Sequence, residues 1–367
     1  MWDFLGQASL LPRWAKWLAL VLLAATITPG LQAMHLPASQ LLGPMLAGIL
    51  VGVFAGGIRL PRLWHVGAQS IVGCLIATLV TPGIIVAFVH DWPVIMAAVV
   101  ATLLASGALG WLMMSWRVLP GTTAIWGAAP GGAAAMVVMA EAFGADIRLV
   151  ALMQYMRVAG VAVTAALLAH WLAGGLPASV PVPPMFPAIE PLAFASTLVL
   201  AALGGFIGRR FRVPAGPLLL PLVFGAVLHG AGLVDLQIPR WLITLCYAVI
   251  GCSIGLGFTR PVLVLAAAAL PRIIFTTVVL IGFCGLVSLV LMWELNIDAL
   301  TAFLAMSPGG LDSIAAIGAA SHVDMSFVMA LQTARLILVI LIAPPLARFL
   351  SDRFHRSAQG FSPAAGD

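Results

Sequence analysis

An all-α polytopic membrane protein built from two inverted repeats, with about ten crossings plus two broken or re-entrant segments, is the predicted fold class. Three observations predict it. The 367-residue chain is 62% hydrophobic and only 8% charged, against about 25% charged in soluble domains. Its apolar segments recur with the same rare residues 178 positions later, as Pro130-Gly131-Gly132 does in Pro308-Gly309-Gly310. Its arginines collect on one side once one segment per half enters and leaves by the same face.

The first observation sets the solvent. A soluble core of this size could not hide so much apolar surface, so the lipid bilayer is the expected surrounding. The net charge of +5 comes from sixteen Arg and one Lys scattered between apolar segments. That is the distribution of topogenic charge, and with no basic run it predicts no nucleic-acid partner. Cys74, Cys246, Cys252 and Cys284 all lie in apolar surroundings without a CxxC spacing. They read as packing residues, neither disulfides nor metal ligands.

Windows of about 19 residues give the segments in order. Residues 14–31, 40–56, 64–90, 93–116, 122–143 and 147–172 form the first set. Thr81-Pro82-Gly83 interrupts the third and Pro130-Gly131-Gly132 the fifth. A Pro-rich connection over 174–190 follows, stiffened by Pro181, Pro183, Pro184 and Pro187. The second set is 191–208, 217–233, 241–270, 271–293, 301–320 and 326–350. The expected organisation is a first repeat over 1–173, the linker over 174–190, a second repeat over 191–350 and a polar tail over 351–367. Arg13 and Lys16 precede an apolar run as they would in a signal peptide. The matching segment at 191–208 argues that this run is a retained span.

Apolar chains match by composition, so the repeat must rest on rare types. At an offset of 178, Pro61-Arg62 answers Pro239-Arg240, Gly73-Cys74 answers Gly251-Cys252, and Thr81 answers Thr259. Pro93, Asp146, Gln154 and Arg157 likewise answer Pro271, Asp324, Gln332 and Arg335. At 177, Pro37-Ala38 and Pro44 answer Pro214-Ala215 and Pro221. With a cytoplasmic amino end and one non-crossing segment per half, nearly all loop arginines fall inside, and Asp91, Asp235, Glu294 and Asp298 fall outside. An odd number of crossings per half makes the repeats inverted. Both termini are then cytoplasmic. The Pro-Gly-Gly segments are the preferred non-crossing pieces, and the Thr81 and Thr259 breaks the second choice.

Inverted repeats with interrupted helices point to a carrier. Pro removes a backbone donor and Gly the steric reason to stay helical. In hydrocarbon the freed groups survive only where protein or a wet cavity meets them. Pro130, Gly131, Gly132, Pro308, Gly309 and Gly310 are therefore expected to line a site for a small molecule or ion. Gln154 with Arg157, and Gln332 with Arg335, each share one helix face three residues apart. A charge at mid-bilayer costs ~2.5–3.5 kcal/mol. The arginines read either as an anion-binding or gating pair, or as clamps on carbonyls freed at the breaks or partners of Asp146 and Asp324. Asp312 with Ser313 follows the second break where the first half has Ala134 and Ala135. That asymmetry makes Asp312 the candidate for cation or proton coupling, the alternative being a helix cap. Arg260 beside Thr259 could meet a substrate carboxylate or reach the surface.

The seven histidines show no ligand spacing, and neither HExxH nor a P-loop occurs. No metal and no cofactor is expected. Gly251-Cys252-Ser253-Ile254-Gly255 matches the hydrolase GxSxG pattern. It lies in an apolar span where a nucleophile elbow does not form, so helix packing is the reading and an enzyme is not expected.

The doubled Pro-Gly-Gly segments, LPASQLLGPMLAGILVG at 36–52 and the two Gln-x-x-Arg pairs resemble the duplicated AbrB/AmoA-type bacterial membrane proteins. The resemblance spans nearly the whole chain. It implies kinship with the inverted-repeat cation/proton antiporters and bile-acid symporters. Such proteins have been labelled regulators of gene expression and also ammonia monooxygenases. The ligands for copper are missing here, so the second label finds no support. The expectation is a secondary transporter of a small solute, with a membrane regulatory protein that transports nothing as the alternative. A homodimer is a candidate assembly.

Overall fold

Proline marks the start of four helices in this chain. The computed structural model describes residues 12–342 apart from 35, 37, 56–57, 80–91, 117–118, 120–121, 174–183, 214, 310–313, 315–322 and 326. Thirteen helices and no strand occur among the described residues. The first half has α1 (Arg13–Ala33), α2 (Ser39–Phe54), α3 (Arg62–Ala77), α4 (Trp92–Ser115), α5 (Thr123–Ala128), α6 (Ala133–Ala142) and α7 (Ile147–Ala173). The second has α8 (Pro191–Arg210), α9 (Gly216–Gly230), α10 (Arg240–Leu256), α11 (Arg260–Leu295), α12 (Ala299–Met306) and α13 (Phe327–Ile342). Pro12, Pro61 and Pro239 stand just before α1, α3 and α10, and Pro191 opens α8. A fixed φ and a missing N–H cost nothing there, because the first helical donors lack acceptors anyway. Asn296, left-handed at φ 52°, stops α11.

Among the described residues, five helices are long and apolar enough to cross a membrane: α1, α4, α7, α8 and α11. A polytopic membrane protein is consistent with them. The helix α11 corrects the expected segments. The Thr259 break is present, since α10 ends at Leu256 and Thr259 in extended backbone caps α11. Pro271 is no boundary, however; α11 runs through it for 36 residues. At 1.5 Å per residue that is about 54 Å, against about 30 Å of hydrocarbon. Buried Ala266, Ala269, Ile273 and Thr276 keep one packed face on both sides of the proline.

Packing sorts the helices into two bundles. One holds α1, α2, α3, α8, α9 and α10; the other holds α4, α5, α6, α7, α11 and α12. The halves of the sequence interleave in the first bundle, where α2 packs on α10 and α3 on α9. Each pairing turns on a glycine. A Cβ on Gly251 would lie 2.4 Å from the Leu41 carbonyl oxygen, and one on Gly73 would lie 2.3 Å from that of Leu218. Without side chains these backbones approach as closely as small-residue contacts allow. The helices α2 and α9 both start after an alanine in left-handed backbone, Ala38 at φ 54° and Ala215 at φ 51°. That conformation costs an L-residue roughly 1–2 kcal/mol, and it recurs at the sequence offset of 177.

Candidate functional site

Each Pro-Gly segment leaves a short helix with unpaired carbonyls. In the first half α5 ends at Ala128, Pro130 and Gly131 are buried, and α6 starts at Ala133. In the second, α12 ends at Met306, and Ser307, Pro308 and Gly309 are buried. The last turn of any helix has carbonyls without partners inside it. Buried this deeply, each must be met by another donor.

The Gln-x-x-Arg pairs supply those donors. On α7, Gln154 Nε2 donates to the carbonyls of Trp126 (2.9 Å) and Ala129 (3.0 Å). Arg157 Nη1 donates to Ala129 O (2.7 Å), and Nη2 to Gly131 O (3.2 Å) and Gln154 Oε1 (2.5 Å). On α13, Gln332 Nε2 donates to Leu304 O (2.7 Å) and Ser307 O (2.9 Å). Arg335 donates to Met306 O (3.1 Å), Ser307 O (2.9 Å) and Gln332 Oε1. Arg157 Nη1 also reaches Ala128 O at 3.4 Å, so Trp126, Ala128 and Ala129 answer Leu304, Met306 and Ser307 at the offset of 178. The repeat also governs the entry to α7 and α13. The Asp146 N–H donates to Thr123 Oγ1 at 3.1 Å, and the Asp324 N–H to Thr301 Oγ1 at 3.0 Å.

The two breaks face a common crossing. A side chain on Gly132 would touch Leu336, the neighbour of Arg335 on α13. One on Gly309 would press into Val161, one turn beyond Arg157 on α7. Each helix thus carries the clamp of one break and a packing contact with the other. Arg157 sits on α7 and Arg335 on α13, the two helices of that crossing. Both are almost fully buried, at 2% and 3% exposure. A cavity beside Arg157 has Thr276, Thr277, Leu109, Met153 and Leu280 on its walls. It has room for about one water molecule.

Comparison with known proteins supplies the family. The family model for "Transition state regulatory protein AbrB" matches residues 40–351. The chain belongs to the AbrB family. It is 42% identical over 337 residues to the "Putative regulator AbrB" of Escherichia coli (strain K12), covering 92% of this chain and 97% of that protein. It is 26% identical over 312 residues to the "Uncharacterized protein YhjN" of Bacillus subtilis (strain 168), covering 79% of each.

In this AbrB-family chain the other sequence-derived candidates lie apart from the crossing or beyond description. Thr259 and Arg260 are exposed at the start of α11. Thr81, Gly310, Asp312 and Ser313, like the tail over 351–367, lie outside the described residues. Among the described residues, the arginines are clamps on carbonyls, and Asp146 pairs instead with Arg148 at 2.8 Å. No group of three or more His, Cys, Asp or Glu able to hold a metal occurs among the described residues.

Besides an apolar cluster that runs from Leu41, Ile71 and Ile254 to Met136, Val138 and Val150, polar contacts of Arg148 and His65 join the bundles, and sequence reasoning missed their partners. Arg148 Nη1 donates to the Gly257 carbonyl at 2.6 Å. His65 on α3 meets Glu141 at the end of α6 through Nε2 at 2.9 Å, and Ser253 on α10 through Nδ1 at 3.0 Å. This is the serine of the GxSxG match. It lies inside a continuous helix whose flanking Gly251 and Gly255 abut the α2 backbone. The sequence signal for it was weak: these partners are 76 and 188 residues apart.

Proposed function

We propose that this chain is a multi-pass secondary transporter of the bacterial inner membrane that moves a small solute by alternating access. The observation that carries the reading is the pair of clamped breaks, each packed against the helix that clamps the other. A carrier needs irregular backbone near the membrane midplane, held by protein and shared between two repeats. Two inverted repeats, about ten crossings and two re-entrant segments are the arrangement that also satisfies the arginine distribution. Both termini then lie in the cytoplasm. The two-bundle packing supports a division into a part that holds the breaks and a part that holds still.

In this reading Pro130–Gly132 and Pro308–Gly310 line the solute site, and Asp312 couples movement to a cation or proton. The test is flux in proteoliposomes with wild-type protein and Asp312→Asn. Flux whose ion dependence is lost in the variant is expected. Unchanged dependence removes Asp312 from the role, and no flux with any small acid, amine or amino acid removes the carrier. A second reading is favoured by the regulator name of the Escherichia coli relative. A membrane regulator would bind a cytoplasmic partner through Arg209, Arg210 and Arg212, which a pull-down with and without those arginines would detect.

A further inference from the structure

We propose that the groove between α1 and α10 is a phospholipid site, which takes a phosphatidylglycerol head group with its phosphate on Arg240. The inference needs the chain to lie in a membrane; it does not need the chain to carry a solute.

The groove follows from how α1 packs. The helix α2 lies between α1 and α10 and packs on both. In its first half α1 is pinned. Lys16 and Leu20 are its buried residues, and Leu20 shares an apolar cluster with Ala47, Val51 and Cys252. Beyond Leu20 no residue of α1 is buried. The helix still touches α2 at Gly43, where a Cβ would lie 2.2 Å from the Thr28 hydroxyl oxygen. The space left over is a cavity of about 550 Å³, walled by α1, α2, α10 and Met185 of the segment before α8. Ligand pockets usually measure about 300–1,000 Å³.

Polarity along the groove is graded. At the helix ends stand Gln32 of α1, Gln40 of α2 and Arg240, the first residue of α10. Thr28 and Thr244 come one turn further in, and Ala24, Ala25 and Ala248 about one turn beyond those. From Arg240 to Ala248 the gradient runs for about 12 Å, at 1.5 Å per residue. A charged end, then hydroxyls, then small apolar side chains is the profile that an amphiphile presents in reverse. The helix α1 is long and apolar enough to cross a membrane, so its last turn, with Gln32, stands at the level of lipid head groups.

Charge and hydrogen-bond donors choose the head group. A guanidinium pairs with a phosphate through two parallel N–H···O bonds. Two prolines on the walls supply acceptors. Pro29 has no N–H for the Ala25 carbonyl four residues back, and Pro44 has none for that of Gln40. Ala25 and Gln40 both line the groove. Thr244 gives its own proton to the Arg240 carbonyl at 2.9 Å and so offers an oxygen as acceptor. The walls thus suit one negative phosphate with hydroxyls beside it. Phosphatidylglycerol has one negative charge and two head-group hydroxyls; phosphatidylcholine has neither a net charge nor a donor.

The test uses full-length protein in detergent, stripped of lipid and then given phosphatidylglycerol or phosphatidylcholine in mixed micelles. Native mass spectrometry counts retained lipid, and thermal midpoints follow saturation. One phosphatidylglycerol per chain and a saturable rise of about 3 °C or more are expected. Phosphatidylcholine should bind about tenfold more weakly. Arg240→Gln should weaken phosphatidylglycerol about tenfold, the worth of a charge-assisted contact. Arg209→Gln, at an exposed arginine ending α8, should leave binding unchanged. Ala248→Phe, which fills the groove, should abolish it and serves should Arg240→Gln not fold. The comparison of lipids on wild-type protein needs no variant. Undiminished binding in a folded Arg240→Gln or Ala248→Phe protein overturns the proposal, as does an equal loss in Arg209→Gln. Equal binding of the two lipids overturns the head-group assignment. Glycerophosphoglycerol, the same head group without acyl chains, should give no rise at equal concentration. A rise as large as the lipid's overturns the lipid and assigns the groove to a soluble phosphate ester.

Discussion

Arg157 and Arg335 grip equivalent carbonyls, the first donating to Ala129 at 2.7 Å and the second to Ser307 at 2.9 Å. Removing either arginine orphans buried acceptors on its own break. Each unsatisfied group costs about 1–3 kcal/mol. Arg157→Met and Arg335→Met are therefore expected to lower the thermal midpoint by about 5 °C or more each. The size should agree between them within about twofold, because the contacts agree. A large loss at one position with none at the other would show that only one break is held this way.

Glycine contacts between the helices of the first bundle make a second prediction. A Cβ on Gly255 would lie 2.1 Å from the Met45 carbonyl oxygen, which is backbone and cannot step aside. Gly255→Ala should destabilise by about 1–3 kcal/mol, the usual cost of overpacking. A Cβ on Gly282 or Gly285 of α11 would instead meet nothing within 4 Å. Alanine there should be neutral or stabilising by up to about 1 kcal/mol, since glycine is the poorer helix former. Thermal unfolding of the three variants checks the contrast.

How much of this was legible depends on range. The breaks at Pro130 and Pro308 could be read because proline and glycine act on their own backbone. Gln154 and Arg157 could be placed on one face because three residues make most of a helical turn. Which carbonyls they reach could not be read, since those belong to a helix more than twenty residues away. The boundary expected at Pro271 failed for a related reason. Proline weakens a helix locally, whereas α11 is kept continuous by the face of Ala266, Ala269 and Ile273 packed on Met113 and Leu149. The His65 contacts join three helices and have no local signature at all.

Asp146 makes a prediction about acid. Burial pushes its carboxyl up, yet the hydrogen bonds and charge of Arg148 outweigh this and leave it below the ordinary value of 3.8. A carboxyl lowered by folding stabilises the fold above the ordinary value and stops doing so as pH falls through the lowered one. The difference in thermal midpoint between wild type and Asp146→Asn should be constant from about pH 7 to 5 and shrink below about pH 4. A difference that grows on acidification would contradict the pairing.

His65 and Glu141 bridge the bundles, and their coupling can be measured. The carboxylate is 48% exposed and the imidazole 16%, so the pair belongs with solvent-screened ion pairs of about 0.2–1 kcal/mol. The proton count adds a second partner. Ser253 has one hydroxyl proton and two acceptors in reach, Ile250 O at 2.8 Å and His65 Nδ1 at 3.0 Å. A neutral imidazole that donates from Nε2 to Glu141 must accept at Nδ1, so the hydroxyl turns to His65. A protonated imidazole donates from both nitrogens, and the hydroxyl turns to Ile250. Removing Glu141 should therefore be felt at Ser253, although the two side chains make no direct bond. In a double-mutant cycle of Glu141→Gln and Ser253→Ala, thermal stabilities should depart from additivity by a few tenths of a kcal/mol, or about 0.3. Replacing His65 by alanine should erase that coupling. Additive behaviour in the presence of His65 would mean that the imidazole does not connect α6 to α10.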